Sequence, residues 1–341
     1  MNAPSPAKAA TLHDVAKAAG VSLITASRAL GNPGVVSDKT RARVQQAVID
    51  TGYIPNLLAG GLKSKRSRMV AGIVPALAVS QFLPTVQSLT ATLAQEGYQL
   101  LLGQTFYDAQ REEDILNAMV SRQPDGIVMM GLVESETARN RLRRAGIPVV
   151  ETWDISDRPV DMVIGFSHLK VGSALAGYFL GKGLQRVGIA TGGDHRALQR
   201  REGFLAAWGR EVPTAVVPAP SSLELGRKAL AQLLDQDPGL QAVVCSSDML
   251  ANGILVEARA RGLRVPQDLA VSGFGNAEFS AHMLPSITTV HVDGPRIGRL
   301  AAQLIIDRCR GVRPEHAVFD LGFTLIERES TVAVPTTINT P

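Results

Sequence analysis

From Met69 onward, short β-rich runs recur with stretches of helical period between most of them, and this rhythm constrains the fold more than any other feature. The runs are Val70–Val74, Tyr98–Gly103, Gly126–Met130, Pro148–Thr152, Met162–Phe166, Val187–Thr191, Val243–Ser246, Leu269–Phe274 and Thr288–Val292. Amphipathic segments such as Val86–Glu96, Glu112–Ser121, Glu224–Leu234 and Gly253–Arg261 separate them. A βαβα alternation predicts parallel sheets with helices on both faces. Nine runs are too many for one sheet domain, so two lobes are expected. The cleft between them should lie at the carboxyl ends of the strands, where open α/β sheets bind ligands.

The first 68 residues read differently. They carry ten Lys/Arg against three acids, while the remainder carries 25 basic and 28 acidic side chains. A head of net +7 on a body of −3 fits phosphate contacts made by the head, although a solvated charge run gives the same count. Within it, LHDVAKAAGVSLITASRAL (Leu12 to Leu30) holds two short helix patterns joined by Gly20-Val21-Ser22. Glycine permits the tight turn, and Ser22 is a good N-cap for the second helix. At about 100° per residue, Thr25, Ala26 and Ala29 share one side of that helix, and Leu23, Ile24, Ser27 and Arg28 fill the other. Small inner residues let two helices approach closely, leaving the outer arc for DNA. In a major groove Leu23 and Ile24 can meet thymine methyls and Arg28 can pair with a guanine edge. The competing readings pack Leu23 and Ile24 against neighbouring helices and leave Arg28 a solvated cation. A third helix is capped by Ser37, carries Val44 and Val48 on one face and ends at Gly52. Pro55 blocks its continuation and Asn56 can cap a new start. The glycines at 60 and 61 each cost about 1 kcal/mol in a helix, so a linker helix there should form only when held by a partner chain and DNA.

Together these segments resemble the LacI family of bacterial transcription repressors over nearly the whole chain. The head TLHDVAKAAGVSLITASRALGNPGVVSDKTRARVQQAVIDTGYIPNLLAGGLKS carries the resemblance most specifically. DGIV (Asp125–Val128), GIPVV (Gly146–Val150), RREGF (Arg200–Phe204), SSDMLANG (Ser246–Gly253) and VPQDLAVSGF before PSITTV extend it. VVETWD (Val149–Asp154), VIGF (Val163–Phe166) and DLGFTL (Asp320–Leu325) make the chain most similar to the gluconate-repressor branch.

The resemblance implies an α/β chain whose all-α helix-turn-helix DNA-binding domain (1–55) is followed by a hinge helix or linker (56–68). A two-lobed, periplasmic-binding-protein-like effector and dimerisation domain with parallel sheets (69–331) and a tail (332–341) complete it. It implies a homodimer, or a tetramer, on a near-palindromic operator, with recognition helices about one helical turn apart. Base-reading positions fall on Leu23, Ile24 and Arg28, with Thr25, Ser27 and Asn56 among the DNA-contacting residues. Leu62 matches the family's minor-groove wedge and Ala59 its small neighbour. The paired glycines replace bulkier residues of some relatives, which weakens the hinge.

In the cleft, Arg200 falls on the family's effector-binding arginine and Asp248 on or beside an acidic position. Many sugar-binding relatives have an acid after the G-[FY] turn, whereas here Gly273-Phe274 is followed by Gly275-Asn276. Losing that carboxylate while keeping Arg200 points to an anionic effector, since arginine pairs bidentately with carboxylates. Trp153 and Phe82 offer apolar faces to a carbon chain, and Gln81 or Glu151 hydroxyl acceptors. A sugar acid such as gluconate is the expected effector, released operator DNA the expected response. The hinge helices would melt if cleft closure drew the first lobes of a dimer apart.

Other classes find little support. No G-x-G-x-x-G follows a strand run, and no Walker A or G-x-S-x-G is present, which argues against an NAD-linked α/β enzyme or hydrolase. His13, His168, His195, His282, His291 and His316 lack metal-ligand spacing, so neither metal, cofactor nor catalytic residue is expected. Cys245 and Cys309 read as reduced thiols. A freestanding sugar-binding protein leaves the basic head unexplained. The start, MNAPSPAKAA, lacks an apolar h-region and no apolar run nears the ~20 residues of a membrane span, so the cytoplasm is the expected compartment.

Overall fold

A computed structural model describes residues 10–31, 33–54, 66–77 and 80–332. The chain divides into two compact units, Met1–Ser67 and Arg68–Pro341.

In the first unit, helices α1 (Leu12–Ala18), α2 (Leu23–Gly31) and α3 (Asp38–Thr51) surround a core of Val15, Ala19, Ala29, Val44 and Ala47. Thr11 and Asp14 form a reciprocal capping box at the start of α1, and Ser37 caps α3, which stops at the left-handed Gly52. The expected turn is there: Gly20 has φ 61° and Ser22 Oγ accepts from the Thr25 amide at 3.1 Å. Arg43, counted above with the basic surface, instead donates from α3 to the carbonyls of Ala19 and Gly20 and pins that turn.

The second unit holds two six-stranded sheets. Lobe 1 has strand order β11-β5-β4-β3-β1-β2, with β1 Met69–Val74, β2 Gln99–Gln104, β3 Gly126–Met130, β4 Val149–Thr152, β5 Met162–Gly165 and β11 Val318–Asp320. All its pairings are parallel. Helices α4 (Leu83–Gln95), α5 (Ala109–Val120), α6 (Glu136–Ala145) and α11 (Gly294–Cys309) belong to it. Lobe 2 has order β12-β10-β9-β8-β6-β7, with β6 Val187–Gly192, β7 Thr214–Val217, β8 Ala242–Cys245, β9 Ala270–Phe274, β10 Thr288–His291 and β12 Thr324–Ile326. Only β12 runs antiparallel to its neighbour. Its helices are α7 (His168–Gly181), α8 (His195–Trp208), α9 (Leu223–Gln236) and α10 (Asp248–Ala260).

All nine expected strands are present, while β7, β11 and β12 escaped the sequence reading. Unlike the equally short but buried β4, β5 and β8, they are partly exposed, so they lack the continuous apolar run of a buried strand. The chain crosses between lobes three times, after β5, after β10 and after β11. Phe82, Trp153, Phe166 and Phe274 pack edge-on or tilted around these crossings, so the two lobe cores merge there. Among the described residues no helix is long and apolar enough to cross a membrane.

Candidate functional site

Two surfaces bring the candidate residues together. On α2, Ala26 and Ala29 are buried, and Leu23 and Ile24 stand 48% and 64% exposed beside exposed Ser27 and Arg28. The alternative in which Leu23 and Ile24 pack against the other helices is therefore overturned. Thr25 is half-buried and its hydroxyl lies 2.8 Å from that of Ser22, so it serves the N-cap as well as the edge of this arc. Asn56, Ala59 and Leu62 lie outside the described residues.

The second surface is the inter-lobe cleft, about 710 Å³ of space not filled by atoms and open to solvent. Gln81, Trp153, Arg200 and Asp248 line it, and it also takes in Tyr107, His168, Asp194, Arg196, Ser246 and Phe274. Arg200 projects from α8 with its guanidinium 4.0 Å from the centroid of the Phe274 ring. Its Nη1 donates to His168 Nδ1 and its Nη2 to the Ser246 carbonyl, both at 3.0 Å, and its Nε is buried without a partner. Burial, with the neighbouring charge of Arg196, lowers its pKa to about 10, so it stays protonated at neutral pH. Asp194 caps α8, and two residues further along Arg196 reaches across the cleft, donating to the Met130 carbonyl at 3.2 Å from above the Phe82 ring. Beside it His195 meets Glu134 of lobe 1 at 3.3 Å.

Glycines set this geometry. A Cβ on Gly203 would collide with the Leu169 carbonyl, and one on Gly172 with the Arg200 carbonyl. Helices α7 and α8 therefore touch backbone to backbone, which fixes where Arg200 leaves α8. The glycine of RREGF is steric before it is anything else.

Three effector candidates do not line this cleft. Glu151 is fully buried, accepts from the amides of Val133 (2.8 Å) and Val160 (2.7 Å), and lies 3.5 Å from Arg139. Burial raises its pKa despite these donors. Its oxygens are engaged in tying two loops together, so it is not a hydroxyl acceptor. Phe82 is fully buried against Trp153 and supports Arg196 rather than a ligand. Asn276 is held by Arg328 (2.7 Å) and His291 (3.2 Å) and braces the turn after β9. Asp248 lines the wall, but its oxygens already accept from the Ala277 amide and the Thr289 hydroxyl, each at 2.6 Å.

Sequence reasoning missed Arg196, His168, Tyr107 and Asp194. Arg196 carried a signal, since it sits four residues before Arg200 on the same helical face. His168 was weighed only as a metal ligand. Among the described residues no group of three or more His, Cys, Asp or Glu side chains could hold a metal ion.

The pattern of bacterial regulatory proteins of the lacI family matches residues 11–56, and that of a periplasmic binding protein-like domain matches residues 176–331. The chain is 36% identical over 330 residues to the HTH-type transcriptional regulator GntR of Pseudomonas aeruginosa, covering 94% of this chain and 95% of that protein. It is 31% identical to the transcriptional repressor CytR of Escherichia coli, over 98% of this chain and all of that one. A crystal structure of a LacI-family transcriptional regulator from Silicibacter pomeroyi superposes with a TM-score of 0.89 at 35% identity, covering 94% and 99% of the two chains. The lac repressor dimer bound to operator shares the fold, with a TM-score of 0.80 at 23% identity over 96% of this chain and 100% of that one. With both units matched and relatives of this identity spanning the whole length, the chain belongs to the LacI family of bacterial transcription regulators.

Proposed function

We propose that this regulator is released from a near-palindromic operator by a sugar acid, with gluconate the first candidate, bound in the inter-lobe cleft. One observation carries the reading. Arg200 is a cleft-lining cation, 8% exposed, and among the described residues it forms no ion pair with a carboxylate. A buried charge with no carboxylate paired to it is costly even with Asp194 and Asp154 nearby, and a ligand carboxylate would satisfy it. Arg196, one helical turn away, places a second guanidinium on the same cleft. Gln81, Tyr107 and Trp153 supply the half-polar walls that a polyol chain requires.

The reading places the DNA-binding head at 1–55, the hinge at 56–68, the effector domain at 69–331 and a short tail at 332–341, in a cytoplasmic homodimer. Leu23, Ile24, Ser27 and Arg28 read bases with Thr25 at the edge. Asn56, Ala59 and Leu62 join them through a hinge helix that the glycines at 60 and 61 leave dependent on DNA.

The test starts from a duplex selected out of a random-sequence pool by the full-length chain. Sodium gluconate should lower the affinity for that duplex, and glucose at the same concentration should not. Arg200→Met should abolish the response to gluconate. A complex indifferent to gluconate and to a panel of other sugar acids would overturn the effector assignment while leaving the DNA-binding reading intact.

A further inference from the structure

An unbroken run of buried hydrogen bonds leads from Arg200 to the places where the chain passes between lobes. Arg200 Nη1 donates to His168 Nδ1 at 3.0 Å, and His168 Nε2 donates to the Trp153 carbonyl at 3.0 Å. Trp153 Nε1 donates to Thr85 Oγ1 at 3.1 Å, and Thr85 Oγ1 donates to the Gly294 carbonyl at 3.0 Å. His168 opens α7 directly after the first crossing, and Gly294 opens α11 directly after the second. His168, Trp153 and Thr85 are each at most 3% exposed. We propose that His168 is a positioning residue that aims the Arg200 guanidinium and makes its engagement by an effector felt at the lobe crossings.

The side-chain chemistry restricts who can stand at this position. Arginine has no acceptor, so Nδ1 of His168 must accept and Nε2 must carry the proton that the Trp153 carbonyl receives. Only the neutral imidazole offers one acceptor and one donor on opposite sides of a rigid ring. Burial first, then the charges of Arg200, Arg196 and His195, keep the second proton off, against the opposing pull of the Trp153 carbonyl. Trp153 in turn sits in left-handed backbone (φ 64°), and its ring lines the cleft while its Nε1 continues the run. The same four groups therefore contact the ligand space at one end and two of the three crossings at the other. A ligand that reorients Arg200 changes the partner geometry of every later link.

The inference rests on the effector reading above, and its test separates the two. Gluconate affinity and the gluconate-induced loss of operator affinity are measured on the full-length chain and on His168→Leu, His168→Asn and Thr85→Val. Operator affinity without gluconate and thermal unfolding report whether each variant is folded. Leucine removes both links, so gluconate affinity should fall about tenfold or more. Asparagine places an acceptor near the position of Nδ1 but stops short of the Trp153 carbonyl, so it should restore much of that affinity. The effector-induced change in operator affinity, ordinarily about 5–150-fold in coupled proteins, should nevertheless shrink severalfold in His168→Asn and in Thr85→Val. Asparagine failing to rescue affinity, or wild-type coupling in both His168→Asn and Thr85→Val, would overturn the proposal. An unaltered chain that ignores gluconate would overturn the effector reading on which it stands.

Discussion

At the scale of single residues, two charged side chains that the sequence offers for binding, Glu151 and Arg28, have opposite fates. The sequence offers Glu151 as a hydroxyl acceptor for a ligand in the cleft. The structure turns its two oxygens onto the amides of Val133 and Val160. Glu151→Gln replaces one acceptor by a donor facing an amide, so stability should fall by about 1–3 kcal/mol. Gluconate affinity should not change. A variant as stable as the parent in urea titration would show that the two loops do not depend on this carboxylate. Arg28, exposed on the outer arc of α2, has no comparable bond among the described residues. Arg28→Ala should weaken binding to the selected operator by about 1–3 kcal/mol and relax preference at one base pair per half-site, read out by competition with substituted duplexes. The exposure of Leu23 and Ile24 was legible in the sequence because helical period alone fixes which arc a residue joins. The engagement of Glu151 and Asn276 was not, because their partners lie 9 to 52 residues away and depend on how separate loops meet.

At the scale of elements, the helix pairs of the effector unit share one device. Gly172 and Gly203 bring α7 and α8 into backbone contact, Gly226 and Gly253 do so for α9 and α10, and Gly298 lets α11 press on α4 at Thr85 and Ser88. At Gly172, Gly203, Gly226 and Gly253 an added methyl group meets backbone atoms rather than the far end of a yielding side chain, and at Gly298 it meets the Ser88 hydroxyl as well as the Thr85 carbonyl. Gly203→Ala should therefore cost about 1–3 kcal/mol through overpacking and should weaken gluconate binding as well, because Arg200 lies one turn away on the same helix. If calorimetry showed loss of stability with an unaltered gluconate affinity, the placement of Arg200 would not depend on this crossing. Periodicity revealed that helices alternate with strands, and it located nine of the twelve strands. It did not reveal the glycine contacts, since a glycine inside a helical pattern looks the same whether it faces solvent or a neighbouring backbone. The short edge strands β7, β11 and β12 stayed hidden for a related reason, their identity resting on the strand beside them rather than on their own residues.

At the scale of the whole molecule, the buried ionisable groups around the crossings give the fold a pH signature with two opposing parts. The folded-state pKa of His168 is pushed well below its ordinary 6.5, chiefly by burial. Below pH 6.5 the unfolded chain takes up a proton that the folded chain refuses, so this contribution is lost as pH falls towards the folded value. Glu151, Asp154 and Asp248 are raised by burial and act in the other sense, their contribution declining as pH rises from the ordinary carboxylate range towards their folded values. Comparing the parent with His168→Leu isolates the histidine. The stability advantage of the parent should shrink by up to about 1 kcal/mol between pH 6.5 and 5.5. Both tryptophans, Trp153 and Trp208, belong to the effector unit, so their fluorescence follows its unfolding in urea. An advantage constant across that interval would mean that the unfolded chain does not gain the expected proton. The triple passage of the chain between lobes has a further implication, for biosynthesis. Lobe 1 takes α11 and β11 from residues 294–320, so a nascent polypeptide stopped after β10 has every strand of its second sheet except β12, yet its first sheet lacks a flanking helix and an edge partner for β5. Such a fragment should be degraded or aggregate even though it carries Arg200 and the complete N-terminal helices, and a premature stop codon late in the gene should leave the operator unguarded.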